Sequence, residues 1–217
     1  APDGFGAAAI DGDTLVVRGI DLRAEIPNTV LVYENHDAGW ELTATLSAPG
    51  SGLNDGFGGA VDVRDDLIVV GAGGDDEQGA DAGAVYVFRR DQVNSEQWKL
   101  EAKLLGSNSK ASDRFGGSVG TDEGVIVIGA RSFGSPADFG FGQPGAIYIF
   151  EQASPDSGWM EAYWRPFEQG GGTRLGMSKG TVIAGQDGLT NLIERGPAGW
   201  ATVARLPASG SPAIDGD

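Results

Sequence analysis

The chain has no cysteine and one histidine, His36. Disulfides, thiolate zinc sites, Cys/His dyads and histidine-rich metal sites are all excluded by that alone. No apolar run approaches the roughly 20 residues a helix needs to cross a bilayer. The opening APDGFG carries neither Met nor an apolar signal-peptide core, as in a processed or excised chain. Positive charge is scarce as well: 15 Lys and Arg stand against 31 Asp and Glu, a formal net charge of −16. A surface this acidic repels nucleic acid and anionic membranes, so neither is an expected partner. No segment keeps a 3.6-residue apolar period, which removes helices from the expected fold.

What the chain does have is repetition. DGFGAAAIDGDTLVVRG starts at Asp3, DGFGGAVDVRDDLIVVGAGG at Asp55 and DRFGGSVGTDEGVIVIGA at Asp113. GTRLGMSKGTVIAGQDG at Gly172 keeps the spacing, with Leu175 in the place of Phe5, Phe57 and Phe115. Each is followed by a second apolar run (NTVLVYEN, GAVYVFRR, GAIYIFEQ, LTNLIERG), then a polar turn and a tryptophan: Trp40, Trp98, Trp159 or Trp200. Val and Ile dominate these runs and Gly and Asp punctuate them, so they read as strands. The repeats span approximately 3–54, 55–112, 113–171 and 172–210, and SPAIDGD at 211–217 reads as the start of a further one.

Four strands are expected per repeat. In the second they are FGGAVDV, LIVVGA, GAVYVF and WKLEAKLL. The middle two are apolar on both faces, as strands between neighbouring sheets must be. The last alternates, with Trp98, Leu100, Ala102 and Leu104 on one face and Lys99, Glu101 and Lys103 on the other, the pattern of a protected outer edge. Repeat three breaks that alternation, and a bulged edge with Trp164 and Phe167 partly exposed is expected there. Four-stranded antiparallel units recurring about every 50 residues predict an all-β fold, a β-propeller of about four blades. The ring is either a fragment of a larger one, a closed ring of four, or a half completed by a second chain.

The recurrent [DG]-x-FG-G-[AS]-V, followed by VVGA and GA-[VI]-Y-[VI]-F, resembles the FG-GAP repeats of the integrin α-subunit propeller. It is still more similar to the short form found in bacterial secreted proteins. The resemblance implies a propeller acting in adhesion or binding, secreted or at the cell surface, with a protein or glycan ligand. Calcium-binding members carry D-x-D-x-D-G-x-x-D between the FG strand and the next; here Asp11-Gly12-Asp13, Arg64-Asp65-Asp66 and Thr121-Asp122-Glu123-Gly124 are too short to wrap that ion. A separate loop, DDEQGADAG, offers Asp75, Glu77 and Asp81 as candidate calcium ligands, or as a solvated turn capping its own amides. A nucleotide loop is not expected, because neither glycine cluster completes G-x-G-x-x-G before a helix.

No catalytic residue stands out. His36 lies in the turn ENHDAGW, so an enzyme is not expected, although paired carboxylates acting on polysaccharide remain an alternative. In an antiparallel meander the connections after strands two and four leave by one end. The longest, RSFGSPADFGFGQPG, carries Phe133, Phe139 and Phe141 either as a local core or as a ligand-binding surface.

Overall fold

The computed structural model describes residues 7–19, 29–52, 54–94, 97–131, 145–154, 157–167, 174–186 and 189–207. These form sixteen strands in four sheets. Blade 1 holds β1 (Ala8–Asp11), β2 (Thr14–Gly19), β3 (Thr29–His36) and β4 (Gly39–Leu46). Blade 2 holds β5 (Phe57–Arg64), β6 (Leu67–Ala72), β7 (Ala84–Arg90) and β8 (Trp98–Leu104). Blade 3 holds β9 (Phe115–Asp122), β10 (Val125–Ala130), β11 (Ala146–Glu151) and β12 (Met160–Pro166). Blade 4 holds β13 (Arg174–Ser178), β14 (Thr181–Gln186), β15 (Leu189–Gly196) and β16 (Gly199–Pro207). Each sheet is an antiparallel meander in chain order, so the expected all-β propeller architecture is the observed one, the first and fourth repeats included.

Three hydrophobic cores lie between the four blades. Val16, Val30 and Val32 of blade 1 meet Phe57, Ile68, Val70 and Phe88 of blade 2. Val69, Val85 and Val87 meet Phe115, Ile126, Ile128 and Phe150. Val127, Ile147 and Ile149 meet Val182, Ala184, Ile193 and Trp200. Every residue of β6 is buried, which is why the middle strands are apolar on both faces. The inner strands pack in the order β1, β5, β9, β13, but β13 does not return to pack on β1 and no core joins blade 4 to blade 1 among the described residues. Among the described residues the four blades do not form a closed ring of four.

The FG motif is a turn set inside a strand. Phe57 pairs with Ala72 and Ala60 with Gly71, leaving Gly58 and Gly59 outside the ladder, and the Gly59 N–H closes on the Gly56 carbonyl at 2.8 Å. Gly117 closes on Arg114 in the same way at 3.0 Å. The turn drives Phe57 into the core edge-on to Tyr86 (5.5 Å) and Phe88 (6.2 Å). Phe115 stands likewise against Tyr148 (5.0 Å) and Phe150 (6.2 Å). The aspartate two residues before each Phe caps the preceding turn: Asp55 accepts the Gly52 N–H and Asp113 the Lys110 N–H, both at 2.8 Å.

The outer strands correct the expected alternation. Val87 pairs with Ala102 but Phe88 pairs with Leu100, so Glu101 is an extra, bulged residue. Beyond the bulge the faces exchange. Ala102 and Leu104 pack toward blade 3, while Trp98 packs toward blade 1. Thr43, Ala162 and Val203 occupy the same bulge in the other blades, so an irregular edge is general and not a peculiarity of repeat three. There Trp164 is half-exposed and stacks on Tyr148, whereas Phe167 is buried among the residues of the core between blades 3 and 4.

Candidate functional site

The loops after the second and fourth strands meet at one end of the sheets. The Gly74 N–H donates to the Asp55 carbonyl, Ser112 to Ala80, Arg114 to Asp81 and Phe115 to Ala82, at 2.7–3.0 Å. Ser109 Oγ adds a bond to the Ala82 carbonyl. Gly83 and Phe115 form a parallel bridge; its close approach needs glycine, since a Cβ on Gly83 would stand 2.1 Å from the Phe115 oxygen. Main chain from two blades is thus laced into one platform. Asp81, Ser112 and Arg114 hold left-handed backbone there, with φ of 54°, 72° and 55°, a conformation that side chains other than Gly and Asn seldom take. Outward from the platform point Asp76, Glu77, Lys110 and Arg114, all exposed.

Within this platform the three carboxylates offered as candidate calcium ligands, or as a solvated turn, separate. Asp75 is buried and fully engaged: Tyr86 Oη donates to it at 3.0 Å, the Glu77 N–H at 3.1 Å and Lys103 Nζ at 2.8 Å. Burial alone would raise its pKa, but Lys103, Glu77 N–H and Tyr86 outweigh that and hold it below the usual carboxylate range. Glu77 grips the same ammonium at 2.7 Å. Asp81 stands apart, 3.9 Å from Arg114, while its N–H donates to Asp76 at 2.8 Å. Among the described residues no three His, Asp or Glu side chains stand close enough to hold a metal ion. A cation between Asp75 and Glu77 would have to displace Lys103, so the donor set does not fit calcium as it stands. Phe133, Phe139 and Phe141 lie outside the described residues.

At the opposite end, the short hairpin turns carry a second polar cluster. Asp11 of blade 1 accepts the Asp65 N–H of blade 2, and Asp122 of blade 3 accepts the Lys179 N–H of blade 4, each at 2.8 Å. Arg64 takes the corresponding place in blade 2 and bridges Asp11 at 3.5 Å and Asp122 at 3.3 Å. The bond between blades 2 and 3 is moved inward, to Asp62 accepting the Thr121 N–H at 2.7 Å. Burial pushes the Asp62 carboxyl up to about 6; the Thr121 and Val63 N–H groups and Arg64 offset it only partly, and Asp11 adds to it. Because the folded value lies above the unfolded 3.8, Asp62 favours the fold most at low pH, and that contribution is lost as pH rises from about 4 to about 6. Asp62→Asn keeps an acceptor for Thr121 and is expected to raise stability at pH 7 by about 1–2 kcal/mol. Chemical denaturation at pH 4, 5, 6 and 7 should also show this segment of the pH profile flattened; an unaltered profile would contradict the assignment.

His36 is exposed as the last residue of β3, paired with Gly39 beside the hairpin turn in which the sequence placed it. Sequence reasoning missed Lys103, whose place on an outer strand looked like plain solvation. It also missed Asp62, although a lone acid inside FGGAVDV was a signal that could have been read.

Residues 40–88 and 98–150 match the model of the FG-GAP repeat family. No curated protein matches the sequence. Among solved structures, the chain is similar to Sqt1 of Saccharomyces cerevisiae, with a TM-score of 0.52 and 12% identity over 97% of this chain and 63% of that one. It is also similar to YjhT, with a TM-score of 0.48 and 14% identity over 96% of this chain and 67% of that one. The chain thus spans less than two thirds of the length of Sqt1, and at such low identity that likeness concerns the fold alone.

Proposed function

We propose that this chain, which carries FG-GAP repeats over residues 40–88 and 98–150, is a binding or adhesion module acting outside the cell through its loop face. The observation that carries this reading is the division of labour within each repeat. Asp55, Phe57, Gly58 and Gly71, and their counterparts Asp113, Phe115 and Gly116, are consumed by turn capping and blade packing. The platform formed by residues 73–83 and 106–115 is held by its own main chain, with Asp76, Glu77, Lys110 and Arg114 exposed on it. Rigid scaffolding with variable loops on one end is the arrangement from which recognition surfaces are made.

A protein or glycan ligand suits this surface, because acidic Asp76 and Glu77 and basic Lys110 and Arg114 offer both signs of charge in a small area. The reading is of a binding protein, not an enzyme: the carboxylate with the raised pKa, Asp62, is hydrogen-bonded between blades, and His36 is on the turn end. Calcium has no part in it while Lys103 occupies Asp75 and Glu77.

A glycan array and a pull-down with extracellular-matrix proteins test the proposal. A ligand is expected whose binding falls at least about tenfold on charge reversal by Lys110→Glu with Arg114→Glu. Asp37→Lys, on the opposite end, should leave it unchanged. Silence in both assays, or equal loss in the control, overturns the reading.

A further inference from the structure

We propose that the ligand of the loop face is an acidic polysaccharide, and that Arg114 and Arg131 form the clamp that takes its carboxylate; the inference deepens the binding reading above and rests on it. Blade 2 supplies the comparison. Its entry turn reads Asp55-Gly56-Phe57-Gly58 and its second strand leaves as Ala72-Gly73, where blade 3 has Asp113-Arg114-Phe115-Gly116 and Ala130-Arg131. The ladders correspond, Phe57 pairing with Ala72 and Phe115 with Ala130. Gly56 and Gly73 therefore lie opposite one another one step beyond that pair, and Arg114 and Arg131 do the same in blade 3. Both arginines border exposed Gly117: its N–H closes on the Arg114 carbonyl at 3.0 Å, and a Cβ built on it would stand 3.7 Å from Arg131 Cβ.

The fold needs neither arginine, and each works against it. Gly56 has φ of 68°, and Arg114 holds the same left-handed backbone at 55°, which glycine takes without strain and arginine does not. Arg131 then sets a like charge opposite, an arrangement that destabilises a strand pair. Both side chains are exposed, Asp81 approaches Arg114 only to 3.9 Å, and no carboxylate among the described residues pairs with Arg131. Strain and repulsion kept in one repeat and absent from its neighbour mark a binding position, because an anion held between the two guanidinium groups relieves the repulsion. The surroundings decide which anion. Asp76 and Glu77 are exposed on the same platform and the whole chain carries −16, so a densely acidic protein surface is repelled as it arrives. A polyuronate spaces its carboxylates among neutral hydroxyls. Its acid group suits the guanidinium forks, which meet carboxylates in bidentate fashion, and its hydroxyls are donors for the oxygens of Asp76 and Glu77.

Calorimetric titration of the whole chain with hexagalacturonate, and with the same oligosaccharide as its methyl ester, tests this. Binding of the acid and not of the ester is expected, weakening as salt is added. Arg114→Gly and Arg131→Gly give blade 3 the residues with which blade 2 already folds. Each should cut the affinity for hexagalacturonate at least about tenfold, while the urea midpoint of Arg114→Gly holds or rises. Equal binding of acid and ester, or an affinity that neither substitution changes, overturns the clamp. So does a lack of hexagalacturonate binding up to the solubility limit of the probe when the array or the pull-down captures another ligand, a result that leaves the binding role standing. Silence in every assay overturns both.

Discussion

Gly71→Ala is expected to destabilise the fold by about 3 kcal/mol or more, enough to remove much of the stability of a domain this size. The expectation runs against intrinsic preference, because alanine fits a strand better than glycine and Gly71 is not among the residues with positive φ. The cause is purely steric. A Cβ on Gly71 would lie 2.0 Å from the carbonyl oxygen of Gly116 in the next blade. That oxygen belongs to the FG turn of blade 3, whose own Gly116 has φ of 86° and whose Cβ would stand 2.5 Å from the Ala84 oxygen. Neither backbone can retreat without pulling Phe115 out of its core. Gly50→Ala is the control: φ there is 75°, but nothing lies within 4 Å, so only the left-handed strain of about 1 kcal/mol is expected. Urea unfolding of the two variants measures both, and equal losses would show that backbone strain, not blade contact, sets the requirement.

Lys103→Met is expected to cost about 2–3 kcal/mol at pH 7. The side chain of Asp75 is only 6% exposed, and the substitution leaves its charge with the Tyr86 hydroxyl and the Glu77 N–H but no counter-ion. The figure sits below that for a fully buried pair because Lys103 is itself 28% exposed and partly screened. The pH dependence carries a sign. In the native protein the folded pKa of Asp75 lies below the unfolded 3.8, so its stabilisation is present above pH 4 and is lost as pH falls through the folded value. With Met at 103, burial dominates and the carboxyl takes up its proton at higher pH. The deficit of the variant should therefore be greatest near neutrality and narrow on acidification. Thermal melts between pH 2 and 8 read this directly; a deficit independent of pH would mean that Lys103 acts by packing over Tyr86 and not by charge.

The fold was legible in the sequence to an unusual depth because repetition multiplies weak signals. No single run such as LIVVGA fixes a strand, but four runs in one order with one spacing leave little else for them to be, and the fourth repeat kept its meander even with Leu175 in the place of phenylalanine. The rim was less legible. The strict alternation from Trp98 to Leu104 suggested a regular strand, whereas the bulge at Glu101 turns the two ends of that strand toward different neighbours. Periodicity records which positions are apolar and not which blade they face. Glu101 itself read as a solvent-facing charge, yet it binds Arg89, Gln152 and the Trp159 indole. Those partners overcome the burial that works against its charge and hold its pKa below the usual range.

The candidate site shows the same limit more sharply. Asp75, Glu77 and Asp81 form one acidic word in the sequence, and proximity along the chain suggested a common ligand. The ammonium that two of them share comes from Lys103, on a different strand, and the third turns away to Arg114.

The sequence by itself determined the four blades, their strands and the role of the FG glycines, because these depend on local turn chemistry and on apolar patterns repeated in register. Only the tertiary structure decided that, among the described residues, the inner strands pack in the order β1, β5, β9, β13 without β13 packing on β1. It alone paired Asp75 with Lys103 and set half-buried Asp62 against the Thr121 N–H of the next blade. Those outcomes depend on distances between segments far apart in the chain, which are set by how sheets stack and twist.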